Sequence, residues 1–195
     1  MTVLQHTELF LLSRGMPVAK HFGVEIRAPT ENAASARRAL ELIHEFGSPH
    51  LTRVVRHSRT IVQSVRPTSY SSHEIRALYL DFDALWHESM LATILIYNAS
   101  TARARSMLED RSSCRFSDET WLAICAIGVE RCMRFMSWYN DKYDLSEGEH
   151  EAIIDWVRSF PATSTRRARM RGLANEARME ARRLVAWLRR FHPNE

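Results

Sequence analysis

Four acidic and imidazole side chains in one stretch of the sequence are of the types that carry out acid–base chemistry: Asp81, Asp83, His87 and Glu88. A pair of carboxylates, or a carboxylate beside an imidazole, can accept and donate a proton. On the helix that the surrounding residues predict, however, Asp81 and Glu88 lie on the opposite side of the apolar stripe from Asp83 and His87. We therefore interpret these four residues as a solvated acidic surface.

Two Glu-x-x-His pairs are candidates for metal binding. They are Glu41/His44 and Glu147/His150. Di-iron helical bundles use two such pairs and two further glutamates, all pointing inward. Glu41 and His44 project away from the apolar face of their predicted helix, and Glu147 belongs to a first helical turn. The sequence therefore predicts no metal site.

Other catalytic signatures are missing from the sequence. Six glycines leave little material for a phosphate-binding loop, and no G-x-S-x-G or H-E-x-x-H motif occurs. The three cysteines, Cys114, Cys125 and Cys132, form no C-x-x-C pair and are interpreted as reduced thiols. We expect a protein that is not an enzyme and that needs no cofactor.

Helical periodicity dominates the chain, and it predicts an all-α protein of roughly eight helices in a globular bundle. A short extended piece at Gly23–Arg27 is the exception. The predicted helices cover about 2–14, 32–46, 49–65, 71–110 with a kink or a new helix near 98–101, 118–140, 146–160 and 166–191. The chain is then either a single domain or two helical lobes, an N-terminal lobe at 1–112 and a C-terminal lobe at 113–195 that carries the basic last helix.

The predicted helix starts and ends depend on local signals. Gly47 ends the helix at 32–46, and Ser48-Pro49 begins the next one. Ser71 with Glu74 and Ser146 with Glu149 have the spacing of capping boxes, and Ser117 is an N-cap. No segment approaches the roughly 20 apolar residues that span a bilayer. With no signal peptide recognised, we expect an intracellular, cytoplasmic protein that does not contact membranes.

Basic and acidic side chains are unevenly distributed along the 195 residues. Residues 1–66 have nine basic and five acidic side chains, residues 67–157 have eight and fifteen, and residues 158–195 have ten and three. Arginine outnumbers lysine 25 to 2. A GC-rich genome explains that ratio but not the clustering. The pattern favours a polyanionic partner, head-to-tail self-assembly, or both.

Two predicted helices present arginine faces. On the last helix five arginines lie within about 60° of one another beside the apolar stripe, and on the helix at 49–65 three more lie away from it. With Arg66 they form the predicted nucleic-acid-binding set: Arg53, Arg56, Arg59, Arg66, Arg167, Arg171, Arg178, Arg182 and Arg189. A stripe of like charges forgoes i,i+4 pairs, so something acidic should face it. Phosphates meet that need, and so does an acidic face of the same molecule or of a neighbour.

Several stretches of the C-terminal half resemble the closterovirus RNA-silencing suppressors of the beet yellows virus type. They are Ser113–Glu119, Arg131–Tyr139, Lys142–Ser146 and Thr165–Arg169. The resemblance implies a small all-helical protein that forms ring-like oligomers, binds RNA duplexes on a basic inner surface and blocks silencing. It assigns no individual residue.

The leading functional hypothesis is sequence-tolerant RNA binding through arginine-rich helix faces, as a homo-oligomer that sequesters RNA. One alternative is a viral coat or nucleocapsid protein that packages single-stranded RNA in a helical assembly. Another is a helical interaction or regulatory module whose arginines bind acidic protein surfaces. No zinc-finger, RNP or zipper pattern indicates base-specific recognition.

Overall fold

The computed structural model of the protein describes residues 17–64, 69–72, 76–85, 87–109 and 117–160. These ranges contain a sheet and helices, so the prediction of an all-α fold is wrong and the fold is α/β. The strands are β1 (Val18–His21), β2 (Val24–Arg27), β3 (Thr60–Gln63), β4 (Tyr70–Ser72) and β5 (Ala77–Leu80). The helices are α1 (Thr30–Phe46), α2 (Ser48–His57), α3 (Glu88–Glu109), α4 (Asp118–Tyr143) and α5 (Glu147–Arg158). The helices predicted at 2–14 and 166–191 lie outside the described residues.

The sheet has the strand order β1-β2-β3-β5-β4. Its three inner strands, β2, β3 and β5, are parallel, and the two edge strands are antiparallel to their neighbours. Strands β1 and β2 form a hairpin whose two turn residues, Phe22 and Gly23, have φ of 47° and 80°. Positive φ at both positions is typical of a type I′ turn, which matches the twist of the strands it joins. The extended piece predicted at Gly23–Arg27 is confirmed as β2.

The helix predicted at 49–65 is in fact a helix followed by a strand. Helix α2 ends at His57, Ser58 has φ −132° and ψ 82°, and β3 begins at Thr60. Ile61 and Val62 point to opposite faces of the sheet, and both are completely buried. A strand covered on both faces is a continuous apolar run, and such a run also fits a helical stripe. The periodicity therefore could not separate the two.

The same ambiguity explains the second error, the long helix predicted to begin at Ser71. The chain there forms β4 and β5, and the helix begins only at Glu88. All four residues of β5 are buried, and Leu78 and Tyr79 are paired with Ile61 and Val62 of β3. Strand β5 is stabilised by a partner that is distant in sequence. That partner is invisible to a reading of local periodicity.

Local stop and start signals are predicted more successfully. Helix α1 ends immediately before Gly47. The Ser117 hydroxyl accepts a hydrogen bond from the Thr120 backbone N–H, and Ser146 with Glu149 forms a complete capping box. The N-cap of α2, however, is Gly47 rather than Ser48.

Helix α3 lies in the middle of the hydrophobic core. It packs against α1, α2 and α4, and α5 packs against α4. The buried residues of α3 lie all round the helix as far as Ala102, and they include the small hydroxyl residues Ser89, Thr93, Ser100 and Thr101. Burial on every side explains why its apolar stripe rotates along the sequence. The new helix predicted as the alternative to a kink near 98–101 is wrong, because α3 is a single helix through that region.

Helices α3 and α4 approach closely at Gly128. A Cβ atom at this position would lie 2.6 Å from Cδ2 of Tyr97 and 2.9 Å from Cγ2 of Thr101. Both contacts are shorter than real Cβ contacts allow. Thr101 is buried, and the Tyr97 ring packs edge-on against Phe160, so neither can move away freely. Glycine at position 128 is therefore required for this packing.

We expect Gly128→Val to lower the free energy of unfolding by about 1–3 kcal/mol, because the added side chain overpacks the α3–α4 contact. Thermal denaturation followed by circular dichroism measures the effect. The matched control is Gly148→Ala in α5, where an added Cβ has no atom within 4 Å. That variant should keep or slightly raise the melting temperature, and an equal loss in both variants would contradict the close-packing explanation.

A cluster of charged and phenolic groups joins the end of α1 to the end of α4. Glu45 accepts hydrogen bonds from Lys142 Nζ (2.6 Å), from the Tyr143 hydroxyl (2.7 Å) and from Arg38 Nη1 (3.2 Å). These donors, Lys142 first and Tyr143 second, lower the pKa of the Glu45 carboxyl to about 2. The ionised carboxylate is therefore favoured by the folded state.

Because the pKa of Glu45 is lower in the folded than in the unfolded protein, its contribution to stability is fully present above about pH 5. It is lost as the pH falls towards 2. Glu45→Gln should lower the melting temperature at pH 7, and the difference from the wild type should shrink at pH 3. The exposed Glu151→Gln on α5 is the control. A Glu45→Gln effect of constant size between pH 7 and pH 3 would contradict the assigned role.

Candidate nucleic-acid interface

Three of the predicted binding arginines lie in the described residues, at one end of α2. Arg53 is half-buried on α2, Arg56 is exposed in its last turn, and Arg59 is exposed in the link to β3. The remaining residues of the predicted set lie outside the described residues. They are Arg66, Arg167, Arg171, Arg178, Arg182 and Arg189.

The parallel strands add a further arginine to this place. The amino ends of parallel strands lie at the same edge of a sheet, and Arg59 and Arg76 directly precede β3 and β5. The two residues are in contact, since the backbone N–H of Arg59 donates to the carbonyl oxygen of Arg76 at 2.7 Å. Arg76 has φ of 52°, a left-handed conformation that turns the chain into β5. The exposed side chains of Arg59 and Arg76 line one groove with Arg56.

Helices α3 and α4 contribute Arg103 and Arg131. Arg103 is the first exposed residue after the buried part of α3, and Arg131 is half-buried on α4. Both line a second pocket. We call the six residues from these five places the basic face: Arg53, Arg56, Arg59, Arg76, Arg103 and Arg131.

Mutual repulsion links the members of the basic face. Burial, followed by the charges of Arg131 and Arg103, lowers the pKa of Arg53. Burial, followed by the charge of Arg103, likewise lowers the pKa of Arg131, and the negative charge of Glu130 offsets only part of this effect. Their guanidinium groups are thus close enough to disfavour one another, although α2, α3 and α4 are far apart in sequence. A bound anion would relieve this repulsion.

The positive charges of the basic face also lower the pKa values of two histidines. Burial, and then the charges of Arg56 and Arg76, lowers the pKa of His57. Burial, and then the charges of Arg53 and Arg131, lowers the pKa of His50. The arginines of the basic face thus act on both histidines, and those that act on His57 include Arg103 of α3 as well as the groove residues Arg56 and Arg76.

Carboxylates do not neutralise the basic face within the part of the chain that the structure describes. No described Asp or Glu lies within ion-pair distance of any of its six arginines. Arginines elsewhere are paired, as in Arg27 with Glu25, Arg134 with Glu130 and Arg158 with Asp155. An intramolecular acidic face opposite Arg53, Arg56 and Arg59, which the sequence left open, is not found among these residues.

Two concave regions lie along the basic face. The first is an open groove of about 540 Å³ lined by Gly23, Thr52, Val55, Arg56, Arg59 and Arg76. The second is a pocket of about 240 Å³ between α3 and α4, lined by Ser100, Arg103, Ala104, Met107, Leu108, Ile127 and Arg131. Arg53 connects them, because its charge interacts with both arginines of the second pocket while it shares α2 with Arg56.

Two of the four residues considered for acid–base chemistry, Glu88 and His87, make contacts with polar or charged side chains. The Glu88 carboxylate accepts a hydrogen bond from the Tyr139 hydroxyl (3.0 Å) and lies 3.6 Å from Arg38 Nε. His87 Nδ1 lies 2.8 Å from the Ser89 hydroxyl. Glu88 therefore contributes to the charged cluster between α1 and α4. In the described ranges, no three His, Cys, Asp or Glu side chains are grouped so that they could hold a metal ion.

Sequence reasoning missed Arg76, Arg103 and Arg131. Arg76 was assigned to a helix that does not exist, and Arg131 is one basic residue in a helix with charges of both signs. A signal was available at Arg103, because no residue three or four positions away is acidic. Only the packing of α3 and α4 beside α2 shows that the three belong with Arg53.

Comparisons with protein-family models, with curated proteins and with solved structures find no match to this chain. Fold and site define an α/β protein whose basic face, formed at the amino edge of its parallel strands and on α2, α3 and α4, has no ion pair to a carboxylate in the described ranges. None of the described helices is long and apolar enough to cross a bilayer.

We expect Arg103→Gln to raise the melting temperature of the free protein at low ionic strength, because it removes a charge that repels Arg53 and Arg131. The gain should shrink as salt screens the remaining charges. Arg158→Gln, which instead removes an ion pair with Asp155, should give no gain. A lower melting temperature for Arg103→Gln at low salt would show that an acidic group neutralises the cluster.

Proposed function

We propose that the protein is a non-enzymatic RNA-binding protein that holds the phosphate backbone on its basic face. The observation that carries the proposal is the convergence of six arginines from α2, from the residues just before β3 and β5, and from α3 and α4, none of them ion-paired with a described carboxylate. Folding such a cluster is unfavourable in the absence of an anion. Arginine forms paired hydrogen bonds to phosphate and sheds water readily, which suits this role.

A nucleic acid fits the shape of the basic face better than a single small anion does. The arginines are distributed over a groove and a pocket that Arg53 connects, so several anions in series can be bound. A phosphate backbone supplies such a series, and each neutralised phosphate also releases counterions. An acidic protein surface also carries negative charge, but its charges are spaced less regularly than phosphates are. The binding test described below distinguishes the two, because a protein whose partner is acidic protein should not bind RNA.

Sequence-tolerant binding is supported by the residue types along the groove and the pocket. Among the described residues that line them there is no Asn, Gln, Asp or Glu, the side chains that with arginine most often read base edges. Contacts to phosphate position a nucleic acid without reading its sequence. We therefore infer recognition of backbone and shape.

Several finer expectations belong to the proposal. Arg66 and the five arginines at 167–189 extend the basic surface, the protein acts as a homo-oligomer, and it lies in the cytoplasm. Cys125 and Cys132, both buried with free thiols, are consistent with a reducing compartment. Silencing suppression stays a prediction. It was inferred from a resemblance to an all-helical family, whereas the described fold is α/β. Packaging as a coat protein also stays a prediction.

The test is fluorescence anisotropy with labelled RNA over a series of salt concentrations. We expect tight binding at low salt with a steep slope of log affinity against log salt. Arg56→Gln/Arg76→Gln should weaken binding and reduce that slope by roughly 1.4–1.8, the amount expected for two lost phosphate contacts.

The matched control is Arg27→Gln/Arg158→Gln, which removes the same charge from two arginines that are paired with acids. It should leave the slope nearly unchanged. If the wild type does not bind RNA at low salt, or if both double variants reduce the slope equally, binding at the basic face is contradicted. In the first case an acidic protein partner becomes the better explanation.

A further inference from the structure

We propose that the pocket between α3 and α4 receives one unstacked nucleobase, so that the protein prefers single-stranded over duplex RNA. This inference rests on the proposed function and deepens it. Both concave regions have apolar surface beside their arginines, but of the two only the pocket is lined by exposed large apolar side chains, those of Met107 and Ile127. The two concave regions of the basic face therefore have different roles.

The walls of the pocket expose apolar side chains beside cations. Met107 is 54% exposed and Ile127 is 39% exposed, which makes them two of the most exposed large apolar residues in the described chain. They lie in one pocket with Arg103 and Arg131. A ligand that complements this pocket needs an apolar part with a negative charge beside it. A nucleotide has both, since the faces of its base are apolar and its phosphate is anionic.

Arginine suits both parts of such a ligand. A guanidinium plane can stack on a base, and it can also bind the flanking phosphate. Arg131 Nη1 donates a hydrogen bond to the Ser100 hydroxyl at 3.4 Å, which holds this guanidinium at the side of the pocket. Arg103 is exposed and free of described carboxylates, so it is available for phosphate.

The backbone positions of the pocket walls are determined by the core. The close approach of α3 and α4 at Gly128 is one residue from Ile127, and Thr101 is one turn before Ala104. The small side chain of Ala104 leaves the space between the helices open. The recess is thus a feature of the packed helices.

The expected preference for single-stranded RNA follows from the position of this pocket. In a duplex the faces of the bases are covered by stacking, and a base reaches a pocket only after it leaves the helix. Bases of a single strand are already free to splay outward and be stacked on protein side chains. A pocket that accepts a base while the neighbouring groove holds the backbone therefore selects single strands.

The experiment compares three ligands of equal charge by anisotropy at one salt concentration. They are a single-stranded RNA, a single-stranded abasic oligonucleotide with the same number of phosphates, and an RNA duplex of that phosphate count. We expect the single-stranded RNA to bind about tenfold more tightly than the other two, in line with the effect of stacking one base. A 2-aminopurine label in the single strand should report that a base unstacks on binding.

Ala104→Leu fills the pocket and should remove the preference while the salt slope stays the same. Ala126→Leu, at an exposed position of α4, is the matched control and should keep the preference. In case Ala104→Leu perturbs folding, Ile127→Ala removes a wall of the pocket, and Leu122→Ala at an equally exposed site on α4 is its control. Melting temperatures identify variants that fold.

The possible outcomes separate the two proposals. Equal binding of all three ligands, or tighter binding of the duplex, overturns the nucleobase pocket and leaves phosphate binding at the basic face intact. An unchanged preference in folded Ala104→Leu and Ile127→Ala also overturns the pocket. If none of the ligands binds at low salt, both proposals fail.

Discussion

Burial of helix α3 on every side is the constraint on which the rest of the described structure depends. Helices α1, α2 and α4 all pack against it, and its hydroxyl residues are small enough to be enclosed without leaving gaps. Gly128 allows α4 to approach, with the Tyr97 ring and the Thr101 methyl group occupying the place of a side chain. Because these contacts are close, a shift of α3 would displace every helix that contributes to the basic face.

The basic face lies where this burial ends. Arg103 follows directly after the last buried residue of α3, and Arg131 is one turn beyond Gly128 on α4. The well-packed core thus brings two arginines beside the end of α2, where Arg53 and Arg56 lie. Their repulsion opposes folding, so the packing of α3 must outweigh it in the free protein. A ligand that neutralises the arginines would stabilise the fold by the same interactions.

In the cluster that joins α1 to α4, by contrast, the charged side chains are paired with one another. There Arg38, Lys142, Glu45 and Glu88 neutralise one another, and the hydroxyls of Tyr139 and Tyr143 donate to the two carboxylates. Helix α4 accordingly takes part in both arrangements, with Arg131 at the basic face and Lys142 in the neutralised cluster. The contrast within one helix indicates that the unpaired arginines are a property of their site and not of arginine content alone. Codon usage that enriches arginine along the whole chain would not leave arginines unpaired at one site and paired at another.

Short-range signals in the sequence determined several helix ends, because caps and stop residues act through neighbouring backbone groups. Gly47, Ser117 and the pair Ser146 and Glu149 are examples, and the set Arg53, Arg56 and Arg59 was also recognisable as an acid-free basic segment. The strands were not recognisable. Ile61-Val62 and the buried β5 are continuous apolar runs that fit a helix equally well, and they become strands only through hydrogen bonds to partners many residues away.

The tertiary structure alone decided which arginines act together. Parallel pairing of β3 and β5 places Arg59 and Arg76 at one edge, and the enclosure of α3 places Arg103 and Arg131 beside them. Local sequence records the charge of each residue and the face of its own helix. The distance between charges on different elements depends on register and packing, which involve the whole chain. For that physical reason the sequence by itself determined that the protein has arginine-rich segments, and only the fold decided that Arg53, Arg56 and Arg59 share a surface with Arg76, Arg103 and Arg131.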